Sequence, residues 1–355
     1  MLIPSVAPTV EANAATLVVA ANNSLNKDRA DYICNGVNDH VKIQTAIDRI
    51  ATDSAYGGRL AFMEGNYNIE AAITGRSLII YDGCTVGMWG KGTTFTLAGN
   101  GYNIMNFSGQ QSFEINRIKF DGNNKTGKAL NLVNCHNLHI TKSYFTYSPN
   151  AFYIERGWYG WIRDCNFLDC GAGDTLATSA VGLYNGATNN TNNLRFLGCR
   201  FEYLNGIGIY SDVSGNYGLP QTMSNNHQIL IQNCKFETVP GYNHVAIYGV
   251  LNRSRIIANT FWYCQTKPMI QLISPSTMNI IGDNSFGNAQ VTPIVIGGSR
   301  NSIRDNTVEF GVPSHETHIT DGDRNRVMGN IVDTNTWRVL DAGTNTRILH
   351  NEGAE

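Results

Sequence analysis

The sequence predicts an all-β solenoid, a stack of short parallel strands wound into coils and closed at its start by one amphipathic helix. Three observations predict it: a strand phrase that recurs along the chain, an abundance of Gly and Asn with little charge, and a single stretch of helical periodicity near the N-terminus. The phrase is an alternating strand ending on an apolar anchor. FEINRIKF ends at Phe120, LHITKSYF at Phe145, GWIRDCNF at Phe167, LRFLGCRF at Phe201, ILIQNCKF at Phe236, SRIIANTF at Phe261 and NIIGDNSF at Phe286. Weaker copies end at Val308 and Val332, and TRILHN begins another. Successive anchors lie 25, 22, 34, 35, 25, 25, 22 and 24 residues apart. A period near two dozen, carrying strands and no helical pattern, is the mark of a β-solenoid.

Composition agrees. The 355 residues include 36 Gly, and only 15% are charged; Gly and Asn tolerate the left-handed corners that many short strands require. A net charge of −2 gives no basic footprint, so nucleic acid is not an expected partner. No apolar run reaches the roughly 18 residues of a membrane span. MLIPSVAPTVEANAATLVVAA has no basic region ahead of its apolar stretch, so no secretory signal is predicted within it.

The eight cysteines follow the repeat. Cys165, Cys199 and Cys234 stand two residues before the anchor, where later coils carry Asn259, Asn284, Asn306 and Asn330; Cys170 and Cys264 stand three after it. Stacked at an inward corner, these positions predict a ladder of buried thiols continuing as a ladder of asparagines. No CxxC pair or Cys/His cluster has metal-ligand spacing, so packing thiols are favoured over disulfides or zinc, and neither cofactor nor metal is expected.

In chain order, residues 1–30 read as an irregular leader with one β-like run, Thr16 to Ala20. Residues 31–69 read as a cap. Asn38 stands as N-cap to a helix whose apolar face is Val41, Ile43, Ala46, Ile47 and Ile50; Gly57-Gly58 ends it, Leu60 to Met63 is a strand, and Glu64-Gly65-Asn66-Tyr67 a turn. Such a helix can plug the apolar bore of a first coil. Residues 70–355 then form one continuous domain of coils, with second strands such as KALNLV, AFYIER, AVGLYN, GIGIYS and HVAIYG. The last coil shows no cap, so either the chain is trimmed there or a second copy covers it in a homo-oligomer.

The cap carries a resemblance. Asp31, Gly36, Asn38-Asp39, Ile43-Gln44, Ala46-Ile47-Asp48, Gly57-Gly58 and Glu64-Gly65-x-Tyr67 resemble the N-terminal cap of the right-handed parallel β-helix superfamily. That superfamily holds pectate-lyase-like enzymes, polygalacturonases, other polysaccharide lyases and hydrolases, and phage tailspikes. The departure is His40, where the second Asp of an Asp-Asp pair is usual. The resemblance implies a single-stranded right-handed parallel β-helix and carbohydrate as ligand class. It implies no particular reaction: Arg117-Ile118-Lys119 stands without the other polygalacturonase motifs, and the RxPxxR and WxDH segments of pectate lyases are absent.

Stacked coils turn any outward position into a stripe. Glu155, Tyr184, Tyr210 and Tyr248 follow the second strands of consecutive coils, with Gln271 next. Tyrosine rows suit stacking on sugar rings, and they equally suit packing within a sheet. A second stripe flanks the anchor: Lys119, Tyr144, Asn166, Arg200 and Lys235 before it, Asp121, Thr146, Leu168, Glu202 and Glu237 after it. Glu202 and Glu237 are expected about 5 Å apart, near the carboxylate spacing of a retaining glycosidase. The other account of this stripe is an exposed charge ladder in which Arg200 and Lys235 offset the two glutamates.

The two longest intervals surround Phe201, and their excess lies in Gly171 to Ala180, Gly186 to Asn193 and Asp212 to Gln228. Loops from adjacent coils make groove walls, and these carry Asp174, Asp212, Tyr217 and His227. Glu155-Arg156-Gly157-Trp158-Tyr159-Gly160-Trp161, just before them, reads as a sugar-binding loop element or as a cover over core. The candidate catalytic residues are therefore Glu202, Glu237, Asp212 and Glu155. The candidate binding residues are Tyr184, Tyr210, Tyr248, Trp158, Arg156, Arg200, Lys235 and His227. Two functions are expected to compete: cleavage of a polysaccharide, by a hydrolase or a lyase, in a groove over residues 150–250, and non-catalytic glycan binding by a phage tail or cell-surface adhesin. Either places the protein outside the cell or on a virion or cell surface.

Overall fold

A computed structural model describes residues 15–54, 56–87, 91–184, 191–212, 226–238, 244–263, 265–309, 316–332 and 337–353. Every named strand pair among them is parallel, and the strands form three sheets of 14, 12 and 11 members. Sheet A runs from Ala15–Ala20 and Gly58–Phe62 to Arg347–Leu349, sheet B from Gly65–Ile69 to Glu352–Gly353, and sheet C from Ile73–Thr74 to Val339–Asp341. Each coil visits A, B and C in turn, which makes the molecule a parallel β-helix. No described helix is long and apolar enough to cross a membrane.

The recurring phrase supplies sheet A, a tight corner and the first residues of sheet B. Ile115, Ile140, Ile162, Phe196, Ile231, Ile256 and Ile281 are buried along sheet A, and the anchor phenylalanines are buried along sheet B. Phe145, Phe167, Phe201, Phe236 and Phe261 stack with their rings nearly parallel and centroids 5.1, 4.5, 4.6 and 5.0 Å apart. Parallel register forces this, because each anchor pairs with the next in Cα register.

The corner between A and B admits a residue in the left-handed region, as at Asp164 (φ 53°), Asn233 (φ 54°) and Asp283 (φ 56°), followed by the inward ladder residue. The expected ladder is there. Asn259 donates its backbone N–H and its Nδ2 to Asn284 Oδ1, both at 3.0 Å, and Nδ2 also donates to the Ile231 carbonyl at 3.0 Å. The same pattern runs on through Asn306 and Asn330 to Asn351. The thiols make the equivalent contact: Cys199 Sγ reaches the Ile162 carbonyl at 3.3 Å and Cys234 Sγ that of Phe196 at 3.5 Å. Burial pushes the Cys199 and Cys234 thiols well above their ordinary range, and Cys170 up to about 12. The described cysteines are free thiols, and Cys264 lies outside the described residues. A second amide ladder at the corner between C and A, Asn279–Asn301–Asn325, was not singled out in the sequence.

The cap differs in detail from its expected form. The helix spans Asp39–Asp53 and buries Ile43, Ala46, Ile47 and Ile50, while Val41 faces solvent. Asn38 occupies the N-cap position, but its side chain makes no capping bond. The buried Asp39 does the work instead, accepting from Gly36 N at 2.9 Å and Asn68 N at 2.8 Å, which ties the helix start to sheet B. Gly65–Ile69, expected to begin as a turn, is a strand from its first residue. The β-like run of the leader is the strand Ala15–Ala20, paired on both sides within sheet A.

Candidate functional site: the outer face of sheet C

From the coil of Phe120 onward, chain length varies at only two of the three corners; one coil earlier, residues 83–92 separate Ile79–Asp82 of sheet A from Thr93–Leu97 of sheet B. The inward residue of sheet A lies five positions before the anchor in coil after coil, as in Ile140 and Phe145 or Ile231 and Phe236. A corner filled by one left-handed residue and one ladder residue has no room for more. Insertions therefore fall on either side of sheet C, bordering the strands Val181–Tyr184, Ile209–Ser211 and Ile247–Gly249. Residues 185–190, 213–225 and 239–243, with Tyr217 among them, lie outside the described residues.

The insertion at 171–179 is described, and it lies on the sheet. A Cβ at Gly182 would stand 2.7 Å from the Leu176 carbonyl, so the strand needs glycine there. Asn150 Nδ2 donates to the Ser179 carbonyl at 2.7 Å. Further out, Asp174 pairs with His244 Nδ1 at 2.8 Å and accepts from Lys267 Nζ at 2.6 Å. One carboxylate thus fastens this insertion to the coils of Tyr248 and Gln271. Burial acts to raise the Asp174 pKa, but hydrogen bonds from Lys267 and His244 outweigh it and hold the carboxyl below its ordinary value.

Beside this wall the tyrosines fall into two columns, where the sequence suggested one stripe. Asn131, Tyr153, Gly182, Tyr210, Tyr248 and Gln271 are in Cα register. Glu155 and Tyr184 pair with each other two positions further along their strands, and Asp212 follows the Leu183–Ser211 pair at the same level. Tyr153 and Tyr184 stack at 5.8 Å, and Tyr210 and Tyr248 meet at 5.1 Å. Burial, then the neighbouring Tyr248 and Asp212, push the Tyr210 hydroxyl above its ordinary value. Tyr153, which the stripe omitted, carries Lys128 Nζ 4.1 Å from its ring centre, and burial lowers that lysine. Nothing in the strand KALNLV alone could single out Lys128, because its partner lies one coil on.

Arg156 lies beside Glu155, Nε to Oε1 3.5 Å, and that buried Nε has no hydrogen-bond partner among the described residues. Asp212 is buried. Trp158 is not at a loop tip: it opens the strand Trp158–Arg163 of sheet A and packs edge-on against His136 at 4.3 Å. His227 lies in the same bridged column at the corner between C and A, beyond Asn192. Trp161 points outward on sheet A under Arg195, at 5.3 Å.

Glu202, Glu237, Arg200 and Lys235 lie on sheet B, a different face from the tyrosines. The register shifts between Phe201 and Leu204, so the two glutamates are not the paired positions that regular spacing suggested. Lys235 Nζ stands between them, 3.3 Å from Glu202 and 2.7 Å from Glu237, and the hydrogen bond to Glu237 raises its pKa. This is the charge ladder of the second account, with Lys235 alone as the offsetting cation.

Fold and site together define a parallel β-helix protein with an outward tyrosine face between two lines of insertions. Solved structures with the same fold include ORF18 of Geobacillus virus E2, at 20% identity and a TM-score of 0.65 over 90% of this chain. This chain covers 58% of the length of that phage protein. DFA-IIIase from Arthrobacter chlorophenolicus A6, without its lid and in complex with GF2, matches at 14% identity and a TM-score of 0.68, over 88% of this chain and 91% of its own. The A-module of the mannuronan C-5 epimerase AlgE6 from Azotobacter vinelandii matches at 15% identity and a TM-score of 0.55, over 90% of this chain and 92% of its own. No protein-family model and no curated protein sequence matches the chain. At these identities the likeness is one of fold.

Proposed function

We propose that the protein binds a polysaccharide along the outer face of sheet C and cleaves it at the level of Glu155, Tyr184 and Asp212. The observation that carries this is the coincidence of insertions and tyrosines: Val181–Tyr184, Ile209–Ser211 and Ile247–Gly249 are bordered by inserted chain, and they bear Tyr184, Tyr210 and Tyr248. Tyrosine faces offer sugars an apolar platform with hydroxyls at the rim, and a column of them suits a polymer lying along the axis. The fold likeness to a DFA-IIIase and a mannuronan epimerase supports a carbohydrate as ligand class.

Glu155 and Asp212 are separated by the one strand that carries Tyr184. Two strand spacings put their backbones about 9.5 Å apart, which leaves room for a sugar and a water between the carboxyls, as an inverting pair requires. Arg156, held beside Glu155 through Nε, would bind a hydroxyl or carboxylate of the same sugar through its terminal guanidinium N–H groups.

The test is a screen of neutral and uronic polysaccharides, reading reducing ends, anomeric configuration and ultraviolet absorbance together. New reducing ends with inverted configuration are expected, and Glu155→Gln and Asp212→Asn should each lower kcat roughly 10²–10⁴-fold. Glu202→Gln, on sheet B, serves as the control. Ultraviolet-absorbing product would instead mean elimination. Binding without cleavage would leave the second reading, a glycan-binding phage or surface protein, which the fold likeness to the phage ORF18 favours. Both readings place the protein outside the cell or on a virion or cell surface.

A further inference from the structure

Sheet B carries a second feature, unconnected with the tyrosines of sheet C. Thr94, Lys119, Tyr144, Asn166, Arg200 and Lys235 pair in Cα register on six successive strands. All six are partly or fully exposed on the outer face, so they form one polar column along the axis. Three adjoining depressions follow it. A cavity of about 590 Å³ takes Thr94 and Lys119 in its lining, one of about 440 Å³ takes Tyr144, Asn166 and Arg200, and one of about 500 Å³ takes Arg200 and Lys235.

The cations of this column are not equivalent. Lys235 is held between Glu202 and Glu237. Lys119 and Arg200 have no carboxylate within ion-pair distance among the described residues, and neither does Lys91, which lines the first cavity. Between Lys119 and Arg200 lie the flat ring of Tyr144 and the amide of Asn166, one per strand. Three strand spacings separate the two charges by roughly 14 Å, and each spacing is close to the length of one sugar in an extended chain.

We propose that this column is a second binding track, for an acidic polysaccharide. Arg200 forks onto one sugar carboxylate, Lys119 meets another about three sugars along, and Tyr144 and Asn166 hold the sugars between them. The ligand class follows from the chemistry of the column: cations without an ion-pair partner among the described residues, at polymer spacing and separated by a ring and an amide; Glu64, Asp121 and Asp164 in the same depressions set how far apart the sugar carboxylates must lie.

Calorimetry with a polyuronate and with its carboxyl-reduced, neutral counterpart tests the proposal. The wild-type protein should bind the polyuronate more tightly, with an affinity that falls as salt rises. Arg200→Gln should weaken that binding about tenfold, Lys119→Ala/Arg200→Gln further, while binding of the neutral polymer and the melting temperature stay unchanged. The loss on Arg200→Gln should be the same factor in a Tyr210→Ala/Tyr248→Ala background, which separates failure of this track from failure of the face on sheet C. Equal affinity for the two polymers, no binding of the polyuronate, or wild-type affinity in the double variant would each overturn it.

Discussion

Asn284 accepts the backbone and side-chain N–H groups of Asn259 and donates to the Ile256 carbonyl and to Asn306, so one amide serves three coils. Replacing it with Ala would orphan buried groups on both sides, at a cost of about 3 kcal/mol, read as a lowered denaturant midpoint. Phe201, stacked between Phe167 and Phe236, should cost about 3–5 kcal/mol on truncation to Ala. Both positions were legible because residue type repeats with the coil: Phe at the anchor, Cys or Asn two before it. Glu202 and Glu237 were legible as neighbours offset by Lys235, yet the bulge after Phe201 and the separation of Arg200 from both carboxylates were not. A side chain that crosses coils leaves no trace in the spacing of its own strand, which is also why Asp174 was placed in a loop but not with His244 and Lys267.

At the scale of elements, the corners decide where function can lie. From the coil of Phe120 onward, the A–B corner is fixed by a left-handed residue and a ladder residue, and the corners beside sheet C take up the variation. The insertion at 171–179 is fastened by the Asp174 carboxylate, so its attachment should depend on pH. A carboxyl held below its ordinary value contributes fully above that value, and the contribution is lost as pH falls through the lowered one. Proteolysis within 171–179 should therefore quicken in acid, and Asp174→Asn should show the faster cleavage already at neutral pH. The energy is small, because Asp174 and Lys267 are both more than a third exposed. The sequence located these insertions by interval length alone. It could not give the register across them, so Glu155 and Tyr184 were aligned with Tyr210 and Tyr248 when Tyr153 holds that place.

For the molecule as a whole, three sheets give three outer faces, each a set of axial columns. Sheet C presents tyrosines beside the insertion at 171–179, sheet B a polar column with two cations unpaired among the described residues, and sheet A the Trp161–Arg195 pair. Fold could be read from the repeat because each coil states it again; function could not, because it belongs to the few coils that depart from the repeat. That sheet C is the carbohydrate face is tested most directly by calorimetry with an oligosaccharide of whichever polysaccharide is cleaved or bound. Tyr210→Ala and Tyr248→Ala should each weaken its binding by about tenfold, with Trp161→Ala, on sheet A, unchanged. Wild-type affinity in both tyrosine variants, or loss only in Trp161→Ala, would contradict the account.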